Sequence, residues 1–131
     1  MALLVVAVLG SVCYPSYEAY VLRARRADAI SSLLELQLAQ ERWRLEHGTY
    51  AQQVTVLGVP ASTPGQNYVL DVADATATAC TLHADAAGRQ GHDHRCASLQ
   101  IQLEDGHALL ASYTAQGQQN DEAANQRCWN Q

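Results

Sequence analysis

The sequence predicts an α+β chain, with one long N-terminal helix packed on an antiparallel sheet of three or four strands. Three observations carry that prediction. Residues 16–47 hold no Pro or Gly and are dominated by good helix formers. Downstream, short segments alternate between apolar and polar residues and are separated by turn residues. The dipeptide Asp105-Gly106 lies between two such segments, where it favours a tight hairpin. A length of 131 residues allows one domain, or one small domain with an appendage.

Taken in order, residues 1–15 read as a truncated apolar stem. The run ALLVVAVLGSVC, residues 2–13, carries no charge. It is shorter than the roughly 20 apolar residues that a bilayer span needs. A secretory signal begins with basic residues and ends at a small-residue cleavage site; here the start is Met-Ala. Two readings remain, a weak or truncated signal segment and an apolar stem whose first part is missing. At Pro15 a helix is expected to begin again or to bend.

Residues 16–48 read as an amphipathic helix of about 48 Å, closed by Gly48 in the left-handed C-cap position. Ile30, Leu34, Leu38 and Leu45 follow one line, while Ala29, Leu33, Leu36 and Trp43 follow another. A helix apolar over so wide an arc needs more than one neighbour. The sheet covers one side, and the other is expected to meet other subunits.

Residues 49–66 form a connecting loop marked by Pro60, Pro64 and Gly65. Strands are expected over 67–74, 76–85, 96–105 and 107–115, with a polar turn at 86–95. In the third, Ala97, Leu99, Ile101 and Leu103 point inward. The tail beyond residue 115 reads as polar and irregular, so 67–131 forms the sheet and its C-terminal closure.

Net charge is −5, and all eight basic residues are Arg. Residues 1–53 are neutral, so the whole excess of acid lies in residues 54–131. That argues against a broad nucleic-acid surface, because phosphate binding needs clustered cations. Four Cys in so short a chain point to an oxidising compartment. No CxxC pair exists, which speaks against a zinc ribbon or a thioredoxin-type site.

Candidate sites are few. The segment Gly91-His92-Asp93-His94, with His83 and His107 elsewhere, supplies metal-ligand types without the three or four converging ligands that zinc requires; no metal and no cofactor is expected. Arg89, His92, His94 and Arg95 make the one locally basic turn of the acidic half, and a solvated loop is the simpler reading. The run Arg23-Ala24-Arg25-Arg26 lies just past the apolar stem, where cations meet anionic lipid. The simpler reading there is a solvated helix face paired with Asp28. No nucleophile–base pair, phosphate loop or close carboxylate pair appears, and no enzyme or small-molecule substrate is expected.

The segment VVAVLG…YPSYEAYVLRARRADAISSLLELQLAQERWRLEHGTYA, with ACTLHAD…CASLQIQLEDG and the closing Cys128-Trp129, resembles the type IV pilins. Within them it is similar to PilE-like minor pilins and to pilus DNA-uptake receptors of the ComP type. The resemblance covers nearly the whole chain. The basic leader, its cleavage glycine and the early buried glutamate of the family have no counterpart before Ala2-Leu3-Leu4. This implies an incomplete copy of the precursor or a degenerate leader.

The resemblance implies a type IV pilin fold and a Cys96–Cys128 disulfide, leaving Cys80 a buried small residue and Cys13 unpaired. Such a bridge contributes about 3–4 kcal/mol in the chain-entropy model. Cys80–Cys96 and Cys80–Cys128 remain open alternatives. It implies a filament interface of Leu9, Tyr14, Pro15, Tyr17, Tyr20, Leu33 and Leu36. The partners implied are other pilin subunits and, before assembly, the inner membrane of a Gram-negative bacterium, with later display on an extracellular pilus. The function implied is a structural minor pilin serving assembly, motility or adhesion. Alternatives are a pilus-associated DNA receptor gripping DNA through Arg89, His92, His94 and Arg95, and a type II secretion pseudopilin.

Overall fold

The computed structural model describes residues 2–131, with side chains described outside residues 2–6 and Val12. Those six side chains of the expected 1–15 stem, and Met1, lie outside the described residues. Helix α1 runs unbroken over Ala2–His47 with Pro15 inside it. The helix therefore does not begin again at Pro15 but continues through it, 46 residues with a rise of about 69 Å along the axis. Pro15 withdraws the amide that would bond to the carbonyl of Ser11, and that turn is exposed, so water can satisfy the carbonyl. No helix among the described residues is long and apolar enough to cross a membrane.

Gly48 ends α1 with φ 73° and its amide bonded to the carbonyl of Arg44 at 2.8 Å. That is the left-handed cap its position predicts. The chain then turns back along the helix, held by Gln40. The buried Gln40 amide donates to the carbonyl of Ala51 at 2.9 Å and accepts from the Ala51 amide at 2.8 Å. A one-turn 3-10 helix, Val54–Leu57, interrupts the connecting loop.

The sheet consists of β1 (Tyr68–Ala73), β2 (Ala79–Ala86), β3 (Ser98–Glu104) and β4 (His107–Tyr113). It is an antiparallel meander in chain order. Asp105-Gly106 makes the two-residue β3–β4 turn, with φ 48° and 81° and Glu104 paired with His107. Both residues need the left-handed region that a type I′ turn demands.

Alternation sends Leu70, Val72, Cys80, Leu82, Ala84, Leu99, Ile101 and Leu103 into one core with Ala29, Leu33 and Leu36 of α1. Leu33 and Leu36, expected at a filament interface, are fully buried within the subunit. They share the helix face with Ala29, which the sheet covers. Leu34, Leu38 and Leu45 lie on the opposite face and are exposed.

The tail is not irregular throughout. Asp121 accepts from the Ala124 amide at 2.8 Å and caps a short helix α2, Glu122–Cys128. Asp121 with Glu122 in the first turn and Arg127 in the last is the charge order a helix dipole favours. Trp129 then buries its ring, and its indole N–H donates to the carbonyl of Ala111 at 3.1 Å. The outer edge of β4, which would otherwise be open to pairing, is met by the Asn120 amide donating to the carbonyl of Ser112 at 2.9 Å and by the Asn125 side-chain amide donating to the carbonyl of Leu110 at 2.9 Å.

Candidate functional site

Each of the two bonded cysteines follows an arginine, as Arg95-Cys96 and Arg127-Cys128. Cys96 and Cys128 form the disulfide, with Cα atoms 5.5 Å apart across 32 residues of chain. The link therefore brings Arg95, in the turn before β3, near Arg127, at the end of α2. The flank of α1 facing them carries Arg23 and Arg26. Together these residues line a groove of about 610 Å³, with Asn120, Ala124, Asn130 and Gln131.

The groove is fixed at several points. The Asn120 side-chain amide donates to the carbonyl of Arg95 at 2.8 Å and to the Ser112 hydroxyl at 2.9 Å. The Asn130 amide donates to the carbonyl of Arg23 at 3.3 Å, joining the tail to α1. Arg26 grips Asp93 with both arms of its guanidinium, Nε to Oδ2 at 2.6 Å and Nη2 to Oδ1 at 2.8 Å. The bond from Asp93, and secondarily its charge, outweigh burial and raise the Arg26 pKa. Asp93 is almost fully buried, so this charge pair is a structural clamp and leaves Arg26 with little charge to offer a ligand. The expectation that the arginine run pairs with Asp28 is thus corrected: Arg26 reaches across to Asp93.

Among the described residues this is the one ion pair. Arg23, Arg95 and Arg127 are exposed, and no Asp or Glu side chain lines the groove. A chain of net charge −5 has here set three cations together with no acid among the lining residues.

The basic turn expected from the sequence divides. Residues 88–92 form a 3-10 helix whose buried Gln90 side chain donates to the carbonyl of Leu22 at 3.1 Å and to the Tyr68 hydroxyl at 2.9 Å. Burial pushes the Tyr68 phenol up to about 12, against the lowering effect of the Gln90 bond. With Gln90 and Asp93 directed into the protein, Arg95 goes to the groove. Arg89 and His92 go to a second cleft of about 540 Å³ on the other flank of α1, with Tyr14, Tyr17, Glu18, Val21, Leu22 and Arg25. His94 is exposed and joins neither set of lining residues; its carbonyl accepts from the Ala115 amide at 2.8 Å.

Arg23 and Arg127 were not singled out beside Arg95 by the sequence reading. The repeated Arg-Cys dipeptide was the available signal, since a disulfide between those cysteines must also bring their preceding arginines together. The remaining candidates are quiet. Cys80 is a buried free thiol pushed up to about 12, chiefly by burial, and so holds its proton at neutral pH. Cys13 is free and exposed on the stem. No group of three or more His, Cys, Asp or Glu comes together as a metal site among the described residues.

No curated protein matches the sequence. A family model described as "Type IV minor pilin ComP, DNA uptake sequence receptor" matches residues 15–100, a range that includes Arg23, Arg26 and Arg95 and stops short of Arg127. A long helix on a four-stranded meander, closed by a disulfide at its C-terminal end, is the architecture expected of such a protein, and the chain belongs to this family of type IV minor pilins.

Proposed function

We propose that this minor pilin acts on the pilus as a receptor for DNA during uptake, holding the phosphate backbone in the groove between α1 and the disulfide. The supporting observation is the set of Arg23, Arg95 and Arg127 around one groove with no acidic side chain in its lining. Guanidinium groups match phosphate geometry and keep their charge at any physiological pH. Each phosphate neutralised releases counterions, so affinity falls with salt at a slope of about 0.9 per contact on duplex DNA. Three contacts suit a receptor that holds DNA weakly while the filament moves it.

Binding of duplex DNA over a salt series tests the reading. Replacing Arg95→Ala and Arg127→Ala together lowers the salt slope by about 2 and the affinity by at least tenfold, with thermal unfolding little changed. An unchanged slope removes the groove as the DNA site.

A second reading, a structural subunit serving pilus assembly, motility or adhesion, is favoured by a different observation. Tyr20, Leu34, Leu38 and Leu45 are all exposed on the face of α1 turned away from the sheet. Exposed apolar residues in a continuous stripe suit helix–helix contact between subunits. Leu34→Glu with Leu38→Glu lowers incorporation into pili while leaving the isolated subunit folded; normal incorporation defeats this reading. The two roles are compatible, because the stripe and the groove occupy different faces of α1. In this account the stem holds the subunit at the inner membrane of a Gram-negative cell before the filament carries it outside.

A further inference from the structure

The run Arg23-Ala24-Arg25-Arg26 reads in sequence as a single basic patch, but the helix distributes it. Arg23 and Arg26 line the disulfide groove, while Arg25 faces the second cleft, on the opposite flank of α1. There it meets Arg89 and His92, carried by the 3-10 helix at 88–92. That helix is not a free loop. Gln90 bonds to the carbonyl of Leu22, and Asp93 holds Arg26, so the segment bearing Arg89 and His92 is pinned to α1 at residues 90 and 93.

The floor of the cleft is apolar, from Val21 and Leu22, and its lower rim is aromatic, from Tyr14 and Tyr17. Glu18 also lines it and offsets one of the two arginine charges. Arg25 and Arg89 are in no ion pair among the described residues.

The position of this cleft along α1 is its most informative property. The uncharged run of residues 2–13 ends one residue before Tyr14. Tyrosines gather where an apolar segment leaves a bilayer, because the ring prefers hydrocarbon and the hydroxyl prefers water. Side chains on a helix lean toward its N-terminus, so Arg25 leans down the rod toward Tyr14 and the stem. The order along the rod is thus apolar run, exposed Tyr14 and Tyr17, then a cleft with two guanidinium groups and an imidazole. That order repeats the order of a membrane surface: hydrocarbon, interface, phosphate.

From this arrangement the geometry points to a binding site for the phosphate of an anionic membrane lipid, formed by Arg25, Arg89 and His92 above Tyr14 and Tyr17. The occupant is a phosphodiester headgroup whose acyl chains run down beside the uncharged stem. A duplex groove is a poorer fit, because the cleft lies on the other flank of α1 from Arg95 and Arg127 and has an apolar floor and an acidic residue in its wall. The site acts before assembly: it fixes the depth and rotation of α1 at the membrane, and the headgroup leaves when the subunit is drawn into a filament.

Co-sedimentation of the full chain with vesicles tests this. Vesicles of phosphatidylcholine report what the apolar stem does alone, and vesicles containing phosphatidylglycerol add the headgroup term. Each arginine at an anionic surface contributes a factor of about 5. The double variant Arg25→Ala with Arg89→Ala therefore loses about 30-fold of the phosphatidylglycerol preference while keeping its binding to phosphatidylcholine. Arg42→Ala, farther along α1 and outside the cleft, changes the preference less than twofold. Inorganic phosphate added at constant ionic strength competes weakly in the wild type, as expected for a site that also uses the acyl chains.

Three results overturn the proposal. The first is an equal preference in the wild type and the double variant, or an equal loss with Arg42→Ala. The second is free phosphate that abolishes the preference at low concentration, which makes the site one for the soluble anion. The third is duplex DNA binding that falls as far in the Arg25→Ala and Arg89→Ala variant as in the Arg95→Ala and Arg127→Ala variant, which makes the cleft part of the DNA surface.

Discussion

The two halves of α1 differ in what surrounds them. From Ala29 upward the helix turns one face to the sheet, with Ala29, Leu33, Leu36 and Gln40 fully buried. Below Tyr20 every described side chain is exposed, including Val8, Leu9, Tyr14 and Tyr17. Both halves are rich in apolar residues, so apolar content alone does not say which half is buried. The upper half gains its stability from burial within the subunit. The lower half, lacking that burial, is available to surfaces outside the subunit, whether membrane or neighbouring helices. Between them lies the level of residues 22–26, where the 3-10 helix, Asp93 and the C-terminal tail all attach to α1.

Substitutions can break this comparison. The largest expected effect is at the disulfide. Replacing Cys96 and Cys128 by Ala costs about 4 kcal/mol by loop entropy over the 32-residue separation, read as a shift in the urea midpoint. Under the proposed receptor function the same double variant also weakens DNA binding, because Arg95 and Arg127 lose their common tether. Next, Leu33→Ala or Leu36→Ala costs about 3 kcal/mol each by leaving a cavity against the sheet. If either costs less than Leu9→Ala in the same measurement, the division between the halves is wrong. Asp93→Asn removes the carboxylate from a buried pair and costs about 2–3 kcal/mol, with faster hydrogen exchange in residues 88–96 as the local sign.

A smaller effect is confined to alkaline pH. Cys80 and Tyr68 both have folded pKa values raised to about 12, from ordinary values of 9.0 and 10.0. The unfolded chain loses these protons first, so the contribution of these two groups to stability is constant below about pH 9 and declines from there toward pH 12. Cys80→Ala flattens the first part of that decline, and no substitution in the lower half does. The smallest effect is Leu34→Ala, which shifts subunit stability by less than about 0.5 kcal/mol because the side chain is exposed. Its effect is read in filament incorporation.

Much of the fold was legible because it rests on local rules. Thirty-two residues free of Pro and Gly, closed by Gly48, announce a helix. Leu99, Ile101 and Leu103 at period two announce a half-buried strand, and Asp105-Gly106 announces the hairpin that follows. What was missed was short or depended on distant partners. Helix α2 has seven residues and is stabilised by the Asp121 cap, the Cys128 bridge and Trp129 burial more than by propensity. Pro15 removes one hydrogen bond without ending the helix, so the expected restart does not occur.

The sequence by itself determined the long helix, the meander, the hairpin turn and the two apolar lines along α1, because backbone propensity and side-chain periodicity act between near neighbours. It did not determine which line faces the sheet, and so Leu33 and Leu36 were placed outward when they belong to the core. Nor did it determine the grouping of charge. Arg23, Arg95 and Arg127 are far apart in the chain and share one groove, while Arg89 and Arg95, six positions apart, serve opposite flanks of α1. Only the tertiary structure decides such groupings, because Coulomb interaction follows distance in space, and the disulfide and the Asp93 clamp set those distances.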